Sequence, residues 1–240
     1  MVATPAMLLP ANEAERLRSL HQYEILHSLQ EDLFDELVVL AGALFRLPIA
    51  YVSLVDAERV HYKATYGFPL IPPNLRAELL CAQVVRHGRV VVYHDLAAAT
   101  QTLLDAAAIQ NCLAHQARFY AGAPLRMPDQ HIIGTLCLVG QQPRDFSPDE
   151  QQLLEELAAI VSRAIVVRHH CHHTLVLGQG RWQATQREAR DEVHGLGALV
   201  RYLAARYGPA VPVPEEVLQP VRRRLHDLRA ILQDYEYVRK

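Results

Sequence analysis

The chain has 240 residues, of which 50% are hydrophobic, and a formal net charge of −2. This length suffices for one sizeable core and a smaller appended unit. The near-neutral charge excludes a general attraction to nucleic acid or to an anionic membrane, so neither is predicted as a partner. The chain has four widely spaced cysteines, no recognisable secretion signal and no apolar run of roughly 20 residues. A cytoplasmic protein is therefore predicted.

Two amphipathic helices are predicted at the start of the chain, after a flexible N-terminus at residues 1–11. Asn12 precedes the first helix and Glu15 stands three residues later, which is the spacing of a capping box. This helix is expected to extend to about Leu29, because leucine and isoleucine recur at approximately helical spacing. The second helix is predicted over Asp32–Phe45, with leucines along one face.

A strand hairpin, a helix and a short strand follow in the predicted order. Ile49–Val55 and Val60–Tyr66 are apolar or β-branched runs on either side of a polar turn, which is typical of an antiparallel hairpin. A helical pattern returns over Asn74–His87, and Val90–Tyr93 is predicted as a central strand. The alanine-rich segment Asp95–Gln116 predicts one further helix with a flexible lead.

A second hairpin and a capped helix form the clearest pattern in the chain. The predicted strands Phe119–Leu125 and Ile132–Val139 are separated by turn-forming residues. Ser147 then begins a long helix, since its side chain can accept from first-turn amides, Pro148 suits the first helical position and Glu150 completes a capping box. This helix follows the second hairpin directly, so it can carry a change of state away from the sheet.

Several separated motifs occur in a fixed order along the first two thirds of the chain. They are NEAERLRSLHQYEILHSL, FDELVVLAGALF, PIAYVSLVD, KATYG, FYAGAPL, IGTLCL and PRDFSPDEQ. Together they resemble the GAF domains of bacterial signalling proteins. The resemblance implies an α+β fold over residues 12–168, with an antiparallel sheet of about five strands flanked by helices on both faces. It also implies a module that binds a small molecule or relays a signal.

One face of the predicted sheet is the candidate ligand site. Side chains alternate between the faces of a strand, so Tyr51 and Ser53 share the more polar face. Thr135 and Cys137 can join them from a neighbouring strand. The resemblance adds four residues, from where the family places its ligands: Tyr66, Cys81, Phe119 and Ala121. The alternative is an ordinary core whose hydroxyl groups bond to the backbone.

Two further kinds of chemistry stand as alternatives. A redox-active GAF enzyme would use Cys81 or Cys137, although these cysteines lie in separate elements and reactive thiols need exposure and a lowered pKa. His169 and His173 are four residues apart on a predicted helix and come nearest to a metal site. No acidic residue or defined set of ligands accompanies them, so no metal is predicted.

A linker at residues 169–180 and a helical hairpin at residues 181–240 are predicted to follow the GAF domain. Apolar or small residues along the helix after Ser147 alternate in steps of four and three, which is the pattern of a coiled-coil seam. A homodimer through the helices of residues 147–207 is therefore predicted. The passage REARDEVHGLGALVRYLAARYG loosely resembles the phosphoacceptor helix of histidine kinases.

His194 would be the phosphoacceptor in that resemblance, with Glu192 as its acidic neighbour. Gly195 and Gly197 depart from the pattern, and the residues after Pro209 are too few for an ATP-binding domain. A degenerate dimerisation hairpin is therefore predicted, with phosphotransfer in a two-component pathway as the alternative. A basic patch on the last helix could meet a kinase or a response regulator; it contains Arg222, Arg223, Arg224 and Arg229.

The prediction as a whole is a sensory or regulatory module, without enzymatic activity, that binds an unidentified small molecule or partner. Its dimerising C-terminal helix would relay the state of the site. A ligand can shift such an equilibrium only by binding one state more tightly than the other. The sequence identifies neither the ligand nor a cofactor.

Overall fold

Six strands and seven α-helices make up the described part of the chain. The computed structural model describes residues 9–28, 31–100, 102, 104–173, 178–208 and 210–234. The strands are β1 (Ile49–Val55), β2 (Arg59–Tyr66), β3 (Asn74–Leu75), β4 (Val91–Tyr93), β5 (Phe119–Arg126) and β6 (Ile132–Gly140). The helices are α1 (Glu13–Gln22), α2 (Asp32–Phe45), α3 (Cys81–His87), α4 (Ala106–Ala114), α5 (Pro148–His172), α6 (Gly178–Tyr207) and α7 (Glu215–Asp234).

The strands form one antiparallel sheet in the order β3-β2-β1-β6-β5-β4, so the two predicted hairpins meet at β1 and β6. All nine residues of β6 are buried, because helices and loops cover both faces of the sheet. The inner face, which includes Val52 and Leu54, packs with α2 and α5. The outer face, which includes Tyr51 and Val55, packs with α3 and α4. The predicted α+β fold with helices on both faces is confirmed.

The last three helices extend the core behind the inner face of the sheet. The predicted capping box at the start of α5 is confirmed: the Glu150 amide donates to Ser147 Oγ at 3.2 Å and the Ser147 amide to Glu150 Oε2 at 2.8 Å. The hairpin of α6 and α7 packs on α2 and α5, which makes a third layer. Its buried apolar side chains join the same core as the inner face of the sheet.

The first helix is shorter than the sequence predicts. It ends at Gln22, because Glu24 adopts a left-handed backbone conformation (φ 49°) that a helix cannot continue. The predicted end at Leu29 lies outside the described residues. Asn12 is the residue before α1, yet its side chain makes no capping hydrogen bond. The predicted capping box is therefore wrong, and the Glu15 carboxylate accepts from Arg18 at 3.2 Å instead.

Two predictions in the middle of the chain are also corrected. The helix predicted over Asn74–His87 is present only from Cys81. Asn74 and Leu75 form β3 because they pair with the start of β2, and a 3₁₀ turn follows at Arg76–Glu78. The strand predicted as central, β4, is an edge strand that pairs only with β5 among the described strands.

Candidate functional site

The polar residues predicted for the ligand site meet on the outer face. Tyr51 of β1 lies directly opposite Cys137 of β6, and Ser53 lies opposite Thr135. Cross-strand partners place their side chains on the same face of a sheet, so these four side chains are neighbours. Two further residues complete a hydroxyl–thiol cluster. Its members are Tyr51, Ser53, Cys81, Tyr120, Thr135 and Cys137.

The hydroxyl groups of this cluster surround the Cys137 thiol. Ser53 Oγ lies 2.7 Å from Thr135 Oγ1, which in turn lies 3.0 Å from Cys137 Sγ. The Tyr120 hydroxyl approaches Cys137 Sγ from β5 at 3.2 Å. All four side chains are buried. Each polar group thus has a partner inside the cluster, which offsets the free-energy cost of burying it.

A second thiol lies beside the first. Cys81, the first residue of α3, places its Sγ 3.8 Å from Cys137 Sγ and 3.7 Å from the Tyr51 hydroxyl. Hydrogen bonds from Cys137 and from neighbouring hydroxyl groups lower the pKa of the Cys81 thiol, although burial acts in the opposite direction. Burial raises the pKa of Cys137, Tyr51 and Tyr120. The pKa values of the two thiols are thus shifted in opposite directions.

Three aromatic rings cover the Tyr51 side of the cluster. Tyr51, Tyr62 and Phe68 pack edge to face, with ring centroids 5.4 to 5.7 Å apart. Phe68 comes from the loop that follows β2, where Leu70 and Ile71 are 49% and 37% exposed. This aromatic lid separates the cluster from solvent.

Three of the residues that the resemblance assigned to the site do not reach it. Phe119, Ala121 and Tyr66 lie in or against the core of the inner face. In β5, Gly122 is the partner of Cys137, so Tyr120 shares the outer face while its two neighbours point inward. The predicted wall is wrong at these three positions. Tyr120 and Tyr62 take their place.

A β-bulge explains the replacement of Tyr66 by Tyr62. Tyr51 pairs with Thr65, but Ser53 pairs with Tyr62, so one extra residue of β2 lies between the two pairs. Such a bulge exchanges the two faces along the rest of the strand. Alternation along β5 could have suggested Tyr120 once its register with β6 was known. No feature of the local sequence predicts the bulge.

The predicted phosphoacceptor lies on the surface of the hairpin. The side chain of His194 is 63% exposed, and its Nε2 lies 3.2 Å from Glu36 Oε1 on α2. Glu192 is engaged elsewhere, because its carboxylate accepts two hydrogen bonds from Arg224 at 2.6 and 2.7 Å. The histidine-kinase-like character of the hairpin therefore lacks its expected acidic neighbour. Phosphotransfer through His194 stays a prediction.

The histidine pair lies away from the cluster, at the end of α5, where the ring centroids of His169 and His173 are 4.1 Å apart. Cys171 belongs to the inner-face core, whereas Cys112 packs against the outer-face core that contains Cys81 and Cys137. Within the residues that the structure describes, no group of three or more histidine, cysteine, aspartate or glutamate side chains could hold a metal ion. Burial raises the pKa of Cys112 to about 12 and also raises that of Cys171.

The predicted basic patch is partly neutralised within the chain. Arg222 pairs with Glu156 at 3.2 Å and Arg224 with Glu192 at 2.6 Å, whereas Arg223 and Arg229 are exposed. A surface cavity of about 550 Å³ adjoins Arg229 between α5 and the turn that joins β5 to β6. None of the residues of the hydroxyl–thiol cluster lines this cavity.

A family comparison decides the identity of the fold. The model of the GAF domain family matches residues 30–165, which is more than half of the chain. The chain belongs to the GAF domain family. GAF domains are typically sensory or regulatory, so the coarser part of the predicted function is supported.

The chain is similar to a cyclic di-GMP phosphodiesterase from Pseudomonas aeruginosa. The two are 28% identical over 165 residues, which is 68% of this chain and 27% of the relative. The chain therefore spans about a quarter of the length of that protein.

Solved structures with a similar fold include three GAF-fold proteins. The GAF domain of an Acinetobacter phosphoenolpyruvate-protein phosphotransferase has 19% identity and a TM-score of 0.48, covering 71% of this chain and 100% of its own. The GAF domain of Thermosynechococcus elongatus PixJ has 20% identity and a TM-score of 0.49, covering 67% of this chain and 93% of its own. Free methionine-R-sulfoxide reductase from Neisseria meningitidis has 16% identity and a TM-score of 0.45, covering 68% of this chain and 92% of its own.

The comparisons contradict the prediction that the chain is not an enzyme. The curated relative is named as a phosphodiesterase. An enzyme thus occurs among the proteins that this chain resembles. No helix in the described ranges is both long and apolar enough to span a membrane.

Proposed function

We propose that the chain is a sensory and regulatory GAF module whose sensing site is the outer face of the sheet. The observation that carries this proposal is the hydroxyl–thiol cluster under the aromatic lid. Hydroxyl and thiol groups in such a place can exchange their mutual hydrogen bonds for bonds to a ligand. An apolar core would have no such groups to offer.

The chemistry of the site restricts the class of ligand. None of the six cluster residues carries a carboxylate, ammonium or guanidinium group, and the lid contributes only aromatic rings. Displacement of Phe68 would make the rings of Tyr51 and Tyr62 accessible to a ligand. A small uncharged molecule with an aromatic or apolar body and one or two hydrogen-bonding groups suits this surface best.

The path from the site to the rest of the molecule is short. Cys137 and Thr135 belong to β6, and only residues 141–147 separate this strand from α5. The hairpin of α6 and α7 packs on α5 and α2. A ligand that binds one arrangement of β6 more tightly would therefore favour one arrangement of these helices. This is the relay that the proposal assigns to the C-terminal helices.

Homodimerisation through the helices of residues 147–207 is part of the proposal. The apolar residues of the predicted α5 seam are buried within one chain, so a dimer would use exposed hairpin residues or exchange hairpins between chains. Tyr202 and Tyr207 on α6 are 57% and 39% exposed and suit the first arrangement. Light scattering at micromolar concentrations measures the molar mass, and a strict monomer would remove the dimeric relay.

The curated relative suggests where such a module would act. We propose that the chain regulates a larger signalling protein, with cyclic di-GMP turnover as the activity named for the relative. A kinase or a response regulator is the alternative partner.

Native mass spectrometry of the full chain tests the sensing site. Thr135→Val removes a hydroxyl of the cluster with little change in volume, and Thr185→Val is the matched control, because Thr185 is equally buried but lies on α6. The wild type and the control should retain a small molecule, or bind one in a thermal-shift screen, and Thr135→Val should bind it more weakly. Equal binding by all three proteins would place the site elsewhere.

A further inference from the structure

We propose that Cys81 and Cys137 are a modification site at which a peroxide converts two thiols into a disulfide. This inference rests on the proposed function, because it names an oxidant as an input of the same sensing site. Its test does not require the small-molecule ligand. The following observations support it.

The two sulfur atoms already lie in contact. Cys81 Sγ and Cys137 Sγ are 3.8 Å apart, whereas bonded sulfur atoms are about 2.0 Å apart. Cys137 is fixed by the paired strands on either side of β6, so the adjustment would fall on Cys81 at the start of α3. Residues 76–80 before this helix contain a single 3₁₀ turn and no strand, so strand pairing does not fix the backbone of that segment.

The surroundings of the pair favour one thiolate. The Tyr51 hydroxyl lies 3.7 Å from Cys81 Sγ, and the Cys137 thiol can also donate to that sulfur. Donors of this kind stabilise a negative charge on Cys81, and the thiolate is the nucleophilic form of a cysteine. The Cys112 thiol, whose pKa burial raises to about 12, serves as an internal contrast.

The reaction balances with a peroxide as the oxidant. The Cys81 thiolate attacks one oxygen of hydrogen peroxide, the O–O bond breaks, and hydroxide leaves and takes up a proton to give water. Cys137 Sγ then attacks the sulfenic sulfur, the S–O bond breaks, and the second oxygen leaves as water. Two thiols and one peroxide become one disulfide and two waters. A small dithiol reductant reverses the change.

Access to the pair depends on the aromatic lid. Both cysteines are fully buried, but Phe68 of the loop between β2 and β3 lies over Tyr51, which touches Cys81. This loop carries the exposed side chains of Leu70 and Ile71 and forms no helix or strand over residues 67–73. Local opening of such a segment requires less free energy than global unfolding. A peroxide, with only two heavy atoms, needs a small opening.

The disulfide would also change the site. It would join α3 to the centre of the sheet, between residues 56 positions apart in the chain. The Cys137 thiol could then no longer donate or accept within the cluster. The oxidised and reduced proteins would therefore offer different surfaces to a small molecule.

Intact-mass measurement of the full chain tests the inference. The reduced protein is treated with hydrogen peroxide, unfolded in an alkylating reagent and digested for peptide mapping. The wild type should lose two alkylation sites and yield one linked peptide that contains both Cys81 and Cys137. Cys112→Ser and Cys171→Ser are the matched controls and should behave like the wild type. Cys81→Ser should form no disulfide.

The outcomes separate this inference from the proposed function. Four alkylated cysteines after peroxide treatment, or a linked peptide that contains Cys112 or Cys171, would overturn the disulfide. Retained binding of a small molecule in the same preparation would leave the sensing site standing. Because mapping of the wild type needs no substitution, a variant that fails to fold does not affect the result.

Discussion

Two glycines near the middle of α6, Gly195 and Gly197, differ in how closely a neighbouring side chain approaches the backbone. A Cβ atom at Gly195 would lie 2.8 Å from Arg224 Nη2 of α7, inside ordinary contact distance. The absence of a side chain there lets the guanidinium group lie against α6, where it binds Glu192. A Cβ atom at Gly197 would meet its nearest neighbour at 3.4 Å, which is ordinary contact.

Alanine at these two positions should therefore give different results. Gly197→Ala should raise the free energy of unfolding by about 1 kcal/mol, because alanine loses less backbone entropy in a helix. Gly195→Ala should gain roughly 0.5 kcal/mol less, since the partly exposed Arg224–Glu192 pair must shift. Urea denaturation of both variants measures the difference. A gain in the free energy of unfolding that is larger for Gly195→Ala than for Gly197→Ala would show that the Arg224–Glu192 pair contributes nothing to stability.

Glu13 provides a test of pH dependence. Burial raises the pKa of its carboxyl group, but hydrogen bonds and charge from Arg16 and Arg76 more than offset this, so the net pKa is lowered. The contribution of Glu13 to the free energy of unfolding is complete above the pKa of the carboxyl group in the unfolded chain, near 4.5. This contribution is lost as the pH falls through the lower pKa of the folded protein.

Glu13→Gln should accordingly cost about 2 kcal/mol at neutral pH, because two buried guanidinium groups lose their anionic partner. The difference from the wild type should shrink as the pH falls below 4.5. Thermal unfolding from pH 7 to pH 3 measures it. Glu15→Gln, in an exposed ion pair, is the control and should stay within about 0.5 kcal/mol throughout.

The candidate site was predictable at the residue scale where strand alternation alone decides. Period-two patterning predicted that Tyr51 and Ser53 share one face of β1, and the β1–β6 pairing places Thr135 and Cys137 on that face. Tyr120 was missed because its face depends on the register of β5 with β6, which the local sequence does not specify.

At the scale of elements, α6 owes its position to a carboxylate that precedes α2. Glu31 accepts hydrogen bonds from Arg168 of α5, from Trp182 Nε1 at 2.8 Å and from Gln186 Nε2 at 3.2 Å. Gln186 interrupts the apolar pattern of α6, and this bond is its role in the fold. One acidic side chain therefore joins three helices.

Glu31→Gln should weaken this junction. An amide has a single acceptor oxygen and turns its NH₂ group toward donors, so at least one of Arg168 and Trp182 is left without a partner. We expect a loss of about 2–3 kcal/mol in the free energy of unfolding, measured by urea denaturation. Glu188→Gln, an exposed change on α6, is the control. Equal stability of the two variants would contradict the role of Glu31.

Elements with strong local signals were predicted almost to the residue, and elements set by distant contacts were not. Both α2 and β1 have the predicted bounds, because their apolar periodicity is continuous. The segment from Asn74 to Leu80 has a helical pattern, yet Asn74 pairs with Val60 and the Arg76 amide donates to Glu58 across the β2 hairpin. Such long-range bonds override local propensity.

At the scale of the whole molecule, the C-terminal hairpin shares one core with the GAF sheet. The apolar residues of α6 and α7 join those of α2, α5 and the inner face in a single cluster. The sequence predicted that a second chain pairs along the apolar seam of α5, because a heptad pattern does not distinguish a partner chain from a later part of the same chain. In this structure the hairpin of the same chain packs on α5.

The single tryptophan reports directly on this arrangement. Trp182 is buried where α6 meets Glu31, so undocking of the hairpin would change its fluorescence. Because the core is shared, fluorescence and far-ultraviolet circular dichroism should give the same urea midpoint. Near-ultraviolet circular dichroism of the outer-face tyrosines serves as the control for the sheet. An earlier fluorescence transition would mean that the hairpin unfolds as a separate unit.

The carboxylate of Glu150, in the capping box of α5, also has a partner near α7, and this contact limits how the chain can be shortened. Glu150 is fully buried, and besides the Ser147 amide its carboxylate accepts from Arg144 and, at 3.1 Å, from the Val213 amide just before α7. Any shortened version that stops before residue 213 removes the Val213 donor and leaves Arg144 as the partner of this oxygen. An engineer who wishes to transplant the sheet alone must therefore replace the lost donor and keep Glu150 and Arg144 together.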